Sequence, residues 1–505
     1  MKILYKSYYS YIKFIMVLNI RSIIDAIELN RYIQNFRLDD KADKNKFGII
    51  YTSFTIINKM LDLIPDECYS NPLARWLDMG AGTGYFSICL FRRLDKGLMH
   101  VIIDADQRMR HIISEMLYMS EIKASHIMVL RQIFGHDANI YGDFLSLTVN
   151  NFTATYGFTG FDFIIGNPPY NCDGQIKCPT NKLINKKHDG ETVWPSFIKK
   201  ALVLLKDDGY LCPIIPSIWL KPDKAGIYEI LTKYKINALH TFSNTETNKI
   251  FNYEAQTPTC FFLLQKTLGL GLDLDLDLYL GREINIYDKF LREYCRYNYD
   301  SGSAIPLHGI TILNKLQVFV KKYGSLPIIK TNSPSKKSQF SLEHSCEYPY
   351  KNISTCLLDG LTPVLKINYS NIPQSGYNVG KLILAHKMYG FPYLDLSGDY
   401  GISARDNYII KLDSINGMAL IIQDFLSTKL ALFIYSCASY RMKYLEKYAF
   451  EFIPDISKMD WSSIISSNKK IYDDMLAELF GLTLTEREII EGMHKNYSRV
   501  IIDMS

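Results

Sequence analysis

Two consecutive prolines cut a strand short near the first third of this chain. Phe161-Asp162-Phe163-Ile164-Ile165-Gly166 is an apolar run of the kind that forms a buried strand. Asn167-Pro168-Pro169-Tyr170 follows at once. Neither proline can donate to a ladder, and each fixes φ, so the chain must leave the sheet there in a stiff turn. That turn presents an amide side chain, carbonyls and an aromatic ring. It sits at the carboxyl end of a strand, which is where open α/β sheets hold ligands.

A second turn lies upstream. Arg75-Trp76-Leu77-Asp78 reads as a short strand ending on an acid, with glycines following at 80, 82 and 84. A helix is expected from Tyr85 to about Arg93. Glycines let backbone approach a ligand where a β-carbon would clash. The spacing is not that of the dinucleotide fingerprint, whose last glycine would fall at 85 or 87. Strand, acid, G-x-G-x-G is instead the pattern seen in S-adenosylmethionine sites.

Taken together, the two motifs resemble the N6-adenine-specific DNA methyltransferases of restriction–modification type. The resemblance runs from about Gly48 to Glu491 and is strongest from Asp78 to Tyr170. It implies a doubly wound, Rossmann-like α/β methyltransferase fold with a C-terminal α+β target-recognition domain. It implies S-adenosyl-L-methionine as cofactor and no metal. Asn167, Pro168, Pro169 and Tyr170 become the catalytic turn, with Tyr170 stacking on a flipped base. Asp78, Gly80, Gly82, Gly84 and Phe86 become cofactor contacts. Tyr51 and Thr52 match a Gly-x-x-Tyr-Thr-Pro segment that closes over the cofactor's methionine end. Ser53 stands where that proline would be.

Two acids compete for the cofactor's ribose. Asp104 follows Met99-His100-Val101-Ile102-Ile103, at the usual distance from the glycines. Glu121 follows Met116-Leu117-Tyr118-Met119-Ser120 and precedes a helix expected from Lys123 to Phe134. Glu121 fits the family's order of strand, acid, helix and is favoured. That helix leads to Asp143 and Phe144, the expected contacts for the cofactor adenine. Phe251, ahead of the last strand, is the family's candidate for the other face of the flipped adenine.

The segment from Asn171 to Thr192 is polar and aperiodic and reads as a loop. Trp194 to Leu205 reads as a helix ended by Asp207-Asp208-Gly209, with a strand from Tyr210 to Ile215. Leu270 to Leu278 alternates leucine and acids. An EF-hand starting at Asp273 would need glycine and glutamate where Leu278 and Ile284 stand, so this stretch reads as a linker. The expected division is an N-terminal extension (1–46), a catalytic domain (47–267), the linker (268–283) and a recognition domain (284–505). In the last, Lys387 and Arg405 sit among glycines and aromatics, a mixture suited to phosphate contact and base readout. Thr485 and Glu488 read as a capping box near the end.

A length of 505 residues suits two or three domains, and 48% hydrophobic content suits a packed core. The net charge of +5 is compatible with nucleic acid without demanding it. Ten cysteines sit singly, with no zinc spacing, as expected of thiols in a reducing, intracellular compartment. Lys2, Lys6 and Lys13 interrupt the apolar start, so neither a membrane span nor a secretory signal is expected, and Met16 is an alternative start. Expected partners are double-stranded DNA and, compatibly, a separate restriction endonuclease. The competing readings are a methyltransferase for protein glutamine or ribosomal RNA, and a non-catalytic DNA-binding specificity subunit. Cytosine-N4 methylation also stays open.

Overall fold

Trp76, Phe163 and Tyr210 stack across three neighbouring strands and fix their register. Trp76 lies on Phe163 with ring centroids 3.7 Å apart, and Phe163 on Tyr210 at 5.5 Å. Those residues are direct partners in the parallel ladders of the computed structural model. Residues 20, 50–172, 191–255, 257–268, 282–359, 362–386, 390–415, 418–441, 444–462 and 471–493 are described by it. The chain divides into two compact units, Met1–Asn285 and Ile286–Ser505.

In the first unit, α1 (Phe54–Leu61) is capped by the Ser53 hydroxyl, which accepts from the Ile56 amide. Then follow β1 (Trp76–Asp78), α2 (Tyr85–Gly97), α3 (Ala105–His111), β2 (Leu117–Ser120), α4 (Ala124–Phe134) and β3 (Asn139–Tyr141). Next come α5 (Val149–Tyr156), β4 (Phe161–Gly166), α6 (Trp194–Leu204) and β5 (Leu205–Pro216). The unit closes with α7 (Ile227–Leu231), β6 (Tyr234–Phe242), α8 (Asn244–Ile250) and β7 (Thr259–Leu268).

The seven strands named above run in the order β3-β2-β1-β4-β5-β7-β6. All the ladders from β3 to β5 are parallel, and β7 runs antiparallel between β5 and β6. This is a doubly wound sheet. Its order reverses between β1 and β4, so a crevice opens at their carboxyl ends, the position where such sheets bind ligands. Asp78 and Asn167 stand at those two ends.

The run from Met99 to Ile103, which the competing candidate Asp104 needs as a strand, is not one. It is a surface turn in which Met99, Val101 and Ile103 are half exposed or more. Arg108 holds it by donating to the Ile102 and Ile103 carbonyls, and Asp104 is spent capping α3 through the Gln107 amide. The strand expected from Tyr210 begins at Leu205 instead. Leu205 pairs with Phe161 before a register shift, and Asp207-Asp208-Gly209 forms a bulge inside the strand, with Asp208 at φ +62°.

The second unit contains the helix α9 (Ile310–Tyr323) and two four-stranded sheets. One sheet includes β8 (Tyr350–Asp359), β9 (Thr362–Ser370) and β12 (Gly401–Ile402); the other includes β10 (Lys381–Leu384), β11 (Tyr393–Asp395) and β13 (Tyr408–Lys411). Ile353 and Cys356 from the first sheet meet Ile383 and Ile409 from the second in one apolar cluster. Of the later helices, α10 (Ala419–Leu426) and α11 (Lys429–Cys437) meet at a bend of 69°, and among the described residues no single helix is long and apolar enough to cross a membrane. Near the C-terminus the capping box is Thr483 with Glu486, not Thr485 with Glu488. The Thr483 amide donates to Glu486 Oε2 and the Glu486 amide to Thr483 Oγ1.

Candidate active site

Asp78 is fully buried where β1 ends. Its Oδ2 accepts from Ser87 Oγ at 2.8 Å and its Oδ1 from the Gly80 amide at 3.3 Å. Burial pushes this carboxyl up to about 7; the Ser87 and Gly80 hydrogen bonds oppose the rise, and the charge of Glu121 adds to it. Two glycines make room around it. A β-carbon on Gly166, which has φ +136°, would lie 3.0 Å from Asp78 Oδ1. One on Gly80 would lie 3.3 Å from the Asn167 carbonyl oxygen. The glycine turn and the proline turn are therefore in contact.

Asn167 is held at both hydrogens of its amide nitrogen. Nδ2 donates to the Ile50 carbonyl and to Thr52 Oγ1, each at 3.1 Å. A carbonyl can only accept, so the orientation of the amide is settled by its partners. Oδ1 is left buried with no hydrogen-bond partner. Orphaned buried acceptors are few in native proteins. This one belongs to the residue that the sequence marks as catalytic, and Asn167 lines a cavity at the strand ends.

The same cavity is lined by Tyr51, Thr52, Gly80, Gly82 and Phe86 on one side and by Glu121, Asp143, Phe144 and Pro169 on others. Tyr51 and Phe54 rest their rings against Tyr85, at 5.6 and 5.2 Å between centroids. Glu121 follows β2. Its Oε1 accepts from the Lys123 amide at 2.7 Å, and Oε2 lies 3.5 Å from Nδ1 of the buried His126. Of the two competing acids, Glu121 lines the cavity and Asp104 does not. Asp143 is exposed at the end of β3, and Phe144 stacks on Phe197 with centroids 5.1 Å apart. Asp78, Gly84, Pro168 and Tyr170 lie outside that lining.

Sequence reasoning overlooked Thr83, His126 and Phe197, which also line the cavity. His126 and Phe197 fall on apolar helix faces, where a core role is the ordinary reading. Thr83 was legible as the one side chain between two glycines. The tie between Thr52 and Asn167 spans 115 positions and leaves no local trace in the sequence.

Tyr170 and Phe251 do not form an open sandwich. They are 8% and 1% exposed and meet edge to face, 6.4 Å between centroids at 86°. Tyr170 also donates its hydroxyl to the Ile214 carbonyl at 3.3 Å. A planar base has no room between rings so placed, so the expected role of Phe251 is not available in this arrangement. In the second unit Arg405 is exposed, with Nε 3.5 Å from Asp406 Oδ2. Lys387 lies outside the described residues.

Residues 102–251 match the family model of the Eco57I restriction-modification methylases. An uncharacterized adenine-specific methylase of Mycoplasma pneumoniae is 25% identical over 34% of this chain and 55% of its own length. The tRNA1(Val) (adenine(37)-N6)-methyltransferase of Escherichia coli is 28% identical over 28% of this chain and 51% of its own. The chain thus spans about half the length of these relatives. Among solved structures, a nuclease-deletion mutant of the Type ISP restriction-modification enzyme LlaGI aligns over 61% of this chain and 29% of its own, at 15% identity and a TM-score of 0.39.

Proposed function

We propose that this protein is a site-specific DNA methyltransferase that transfers a methyl group from S-adenosyl-L-methionine to the N6 amine of an adenine flipped out of double-stranded DNA. The observation that carries this reading is the buried, orphaned Oδ1 of Asn167, a residue held by two hydrogen bonds in the lining of a cavity that the glycine turn also walls. The match of residues 102–251 to a restriction-modification methylase family supports DNA as the acceptor.

The donor set fits the cofactor. Glu121 at the end of β2 accepts ribose hydroxyls, and Asp143 accepts from the adenine amine while Phe144 packs on that ring. Tyr51, Thr52 and the turn around Gly80 and Gly82 take the amino-acid end, with Asp78 beneath and Gly84 and Phe86 opening α2. When bound, S-adenosylmethionine supplies an electrophilic methyl on a sulfonium, at which the nucleophile displaces a neutral sulfide. The protein's own task is the nucleophile. The lone pair of an adenine amine is delocalised into the ring. Asn167 Oδ1 and the Pro168 carbonyl accept its two hydrogens and draw the nitrogen toward tetrahedral geometry. One of those protons leaves to solvent once the N–C bond has formed. Pro168 and Pro169 make these acceptors rigid, so little reorganisation is needed in the transition state. Tyr170 stacks on the base after its ring is released from the packing described above. Positioning and electrostatics do this work, and the assignment includes no metal.

Asp78 makes cofactor affinity depend on pH. Its carboxyl titrates at about 7 in the free protein. The ammonium of the cofactor's amino-acid end, which S-adenosylhomocysteine also carries, favours the ionised form. Affinity should therefore be full above pH 7 and fall as pH drops below it, by no more than tenfold per unit. Titration calorimetry with S-adenosylhomocysteine from pH 6 to 8.5 checks this. Asp78→Asn should flatten the profile, and a flat wild-type profile would exclude the linkage.

Arg405 and Lys387 are proposed as phosphate contacts of the second unit. Arg405→Ala should weaken DNA binding to all sequences alike and reduce the slope of log K against log salt by about one. An unchanged slope would remove Arg405 from the interface.

A second reading, methylation of an RNA adenine, draws on the likeness to the tRNA methyltransferase. The acceptor is tested by expressing the protein in a host free of DNA adenine methylation and sequencing the modified genome. N6-methyladenine confined to one sequence context supports the proposal. Unmodified DNA alongside methylated RNA would replace it with the second reading.

A further inference from the structure

We propose that Tyr253 is a DNA-binding residue that enters the duplex where the target adenine leaves it and stacks on the partner base left unpaired. This role rests on the methyltransferase reading above. Tyr253 has φ +66° and follows Asn252 at φ +49°. A left-handed backbone suits asparagine but strains a bulky aromatic, and such strain persists only where the surrounding structure imposes it. The surroundings of Tyr253 do so. Its amide donates to the Asn248 carbonyl at 2.6 Å, and the Glu254 amide donates to the Phe251 carbonyl at 2.9 Å. Phe251 is buried, and the hydroxyl of Thr247 in α8 meets that of Thr259 at the start of β7, 3.0 Å apart. The turn is pinned on both sides, yet the ring it carries is 75% exposed. Folding gains little from that ring, so the strain is kept for a contact outside the chain.

The place of the turn decides what the ring meets. β7 runs antiparallel to β5, and Thr259 pairs with Pro216, the last residue of β5. β5 is parallel to β4, with Pro213 beside Gly166. The turn ahead of β7 therefore lies at the same end of the sheet as Asn167. Phe251, two residues before Tyr253, meets the ring of Tyr170 in the proline turn. Tyr253 is not part of the cavity lining. It stands at the rim and is not a wall for the flipped base. A duplex that gives up an adenine to the cavity must lie across that rim. Extruding the adenine leaves a gap in the stack and a partner base without its pair. Apolar side chains wedge into such gaps, and an aromatic ring can stack on any base. Lys249, exposed in the last turn of α8, supplies a cation for a flanking phosphate.

Tyr253→Asn removes the ring and suits the left-handed backbone, while Tyr253→Phe keeps the ring. Both are compared with wild type on two duplexes that carry the sequence context methylated in the host genome. One duplex is fully paired, and the other has an abasic site opposite the target adenine. On the paired duplex Tyr253→Asn should lower kcat/KM about tenfold, and Tyr253→Phe should stay near wild type. On the abasic duplex Tyr253→Asn should match wild type, because the base on which the ring stacks is gone. Without DNA, Tyr253→Asn should melt at the wild-type temperature or higher, because backbone strain has been relieved. A ring needed only for structure would lower that temperature and the rate on both duplexes. An equal loss on both duplexes, or no loss on the paired one, would overturn the assignment of Tyr253. Failure of wild type to methylate any DNA would instead overturn the methyltransferase reading, and this assignment with it.

Discussion

Asn167→Ala should lower kcat for methyl transfer at least about a hundredfold while leaving cofactor affinity within about twofold of wild type. The separation follows from geometry. The amide nitrogen of Asn167 is committed to Ile50 and Thr52, and Oδ1 is the atom of that amide left without a partner. Removing the side chain removes the acceptor for the target amine but none of the residues assigned to the cofactor's nucleoside. Thr52 loses a donor partner and keeps its place at the start of α1. Single-turnover kinetics with calorimetry separates the two effects. A variant that keeps more than a few per cent of wild-type rate would show that Oδ1 is not the acceptor. A variant that loses rate and cofactor affinity together would show that the turn holds the cofactor rather than the base.

Lys381→Ala should destabilise the second unit by about 3–5 kcal/mol. Lys381 and Asp395 face each other across β10 and β11 with side chains 0% and 2% exposed, Nζ 2.5 Å from Oδ2. Burial lowers the Lys381 pKa, and the hydrogen bond and charge of Asp395 oppose that shift. The carboxylate does more than pair. It accepts from the amides of Gly398, Asp399 and Tyr400 and so shapes the turn after β11. Deleting the ammonium leaves a buried charge held only by amides. Chemical denaturation reads the loss. Lys381→Met with Asp395→Asn should recover part of it, because no buried charge then remains uncompensated and the asparagine oxygen can still accept from the turn amides. A loss below about 1 kcal/mol for Lys381→Ala would mean that solvent reaches the pair on removal of the lysine.

Much of the first unit is legible in sequence because its signals are local. The glycine turn, the prolines after β4, and Glu121 between β2 and α4 each combine a strand end with a residue type that the backbone demands there. The misplaced start of β5 came from long-range pairing. Leu205 enters β5 because Phe161 stands beside it, and the Asp-Gly pair that usually ends a helix became a bulge within a strand. Met99 to Ile103 has strand composition, yet Arg108 ties it down as a turn from the side of α3. Phe251 precedes the last strand as the resemblance requires, but its ring is packed into the core against Tyr170. Ten of the residues that line the cavity were singled out in sequence, but their pairing was not. That Asn167 is held by Ile50 and Thr52, and that Thr83 holds a buried hydroxyl without a partner, are facts of three-dimensional pairing. In the second unit the motifs were weak, and the buried pair of Lys381 and Asp395 went unread because two charged residues fourteen apart ordinarily sit in solvent.

The central claim is tested most directly by mixing purified protein and tritiated S-adenosylmethionine, in separate reactions, with mixed-sequence double-stranded DNA, RNA and protein extract. Labelled nucleic acid is then digested to nucleosides. Label recovered as N6-methyladenosine's deoxy form from DNA, and absent with Asn167→Ala, is the predicted result. Label in N4-methylcytosine, in RNA or in protein would contradict the assignment of the acceptor, and no transfer to any of the three would contradict the assignment of the reaction.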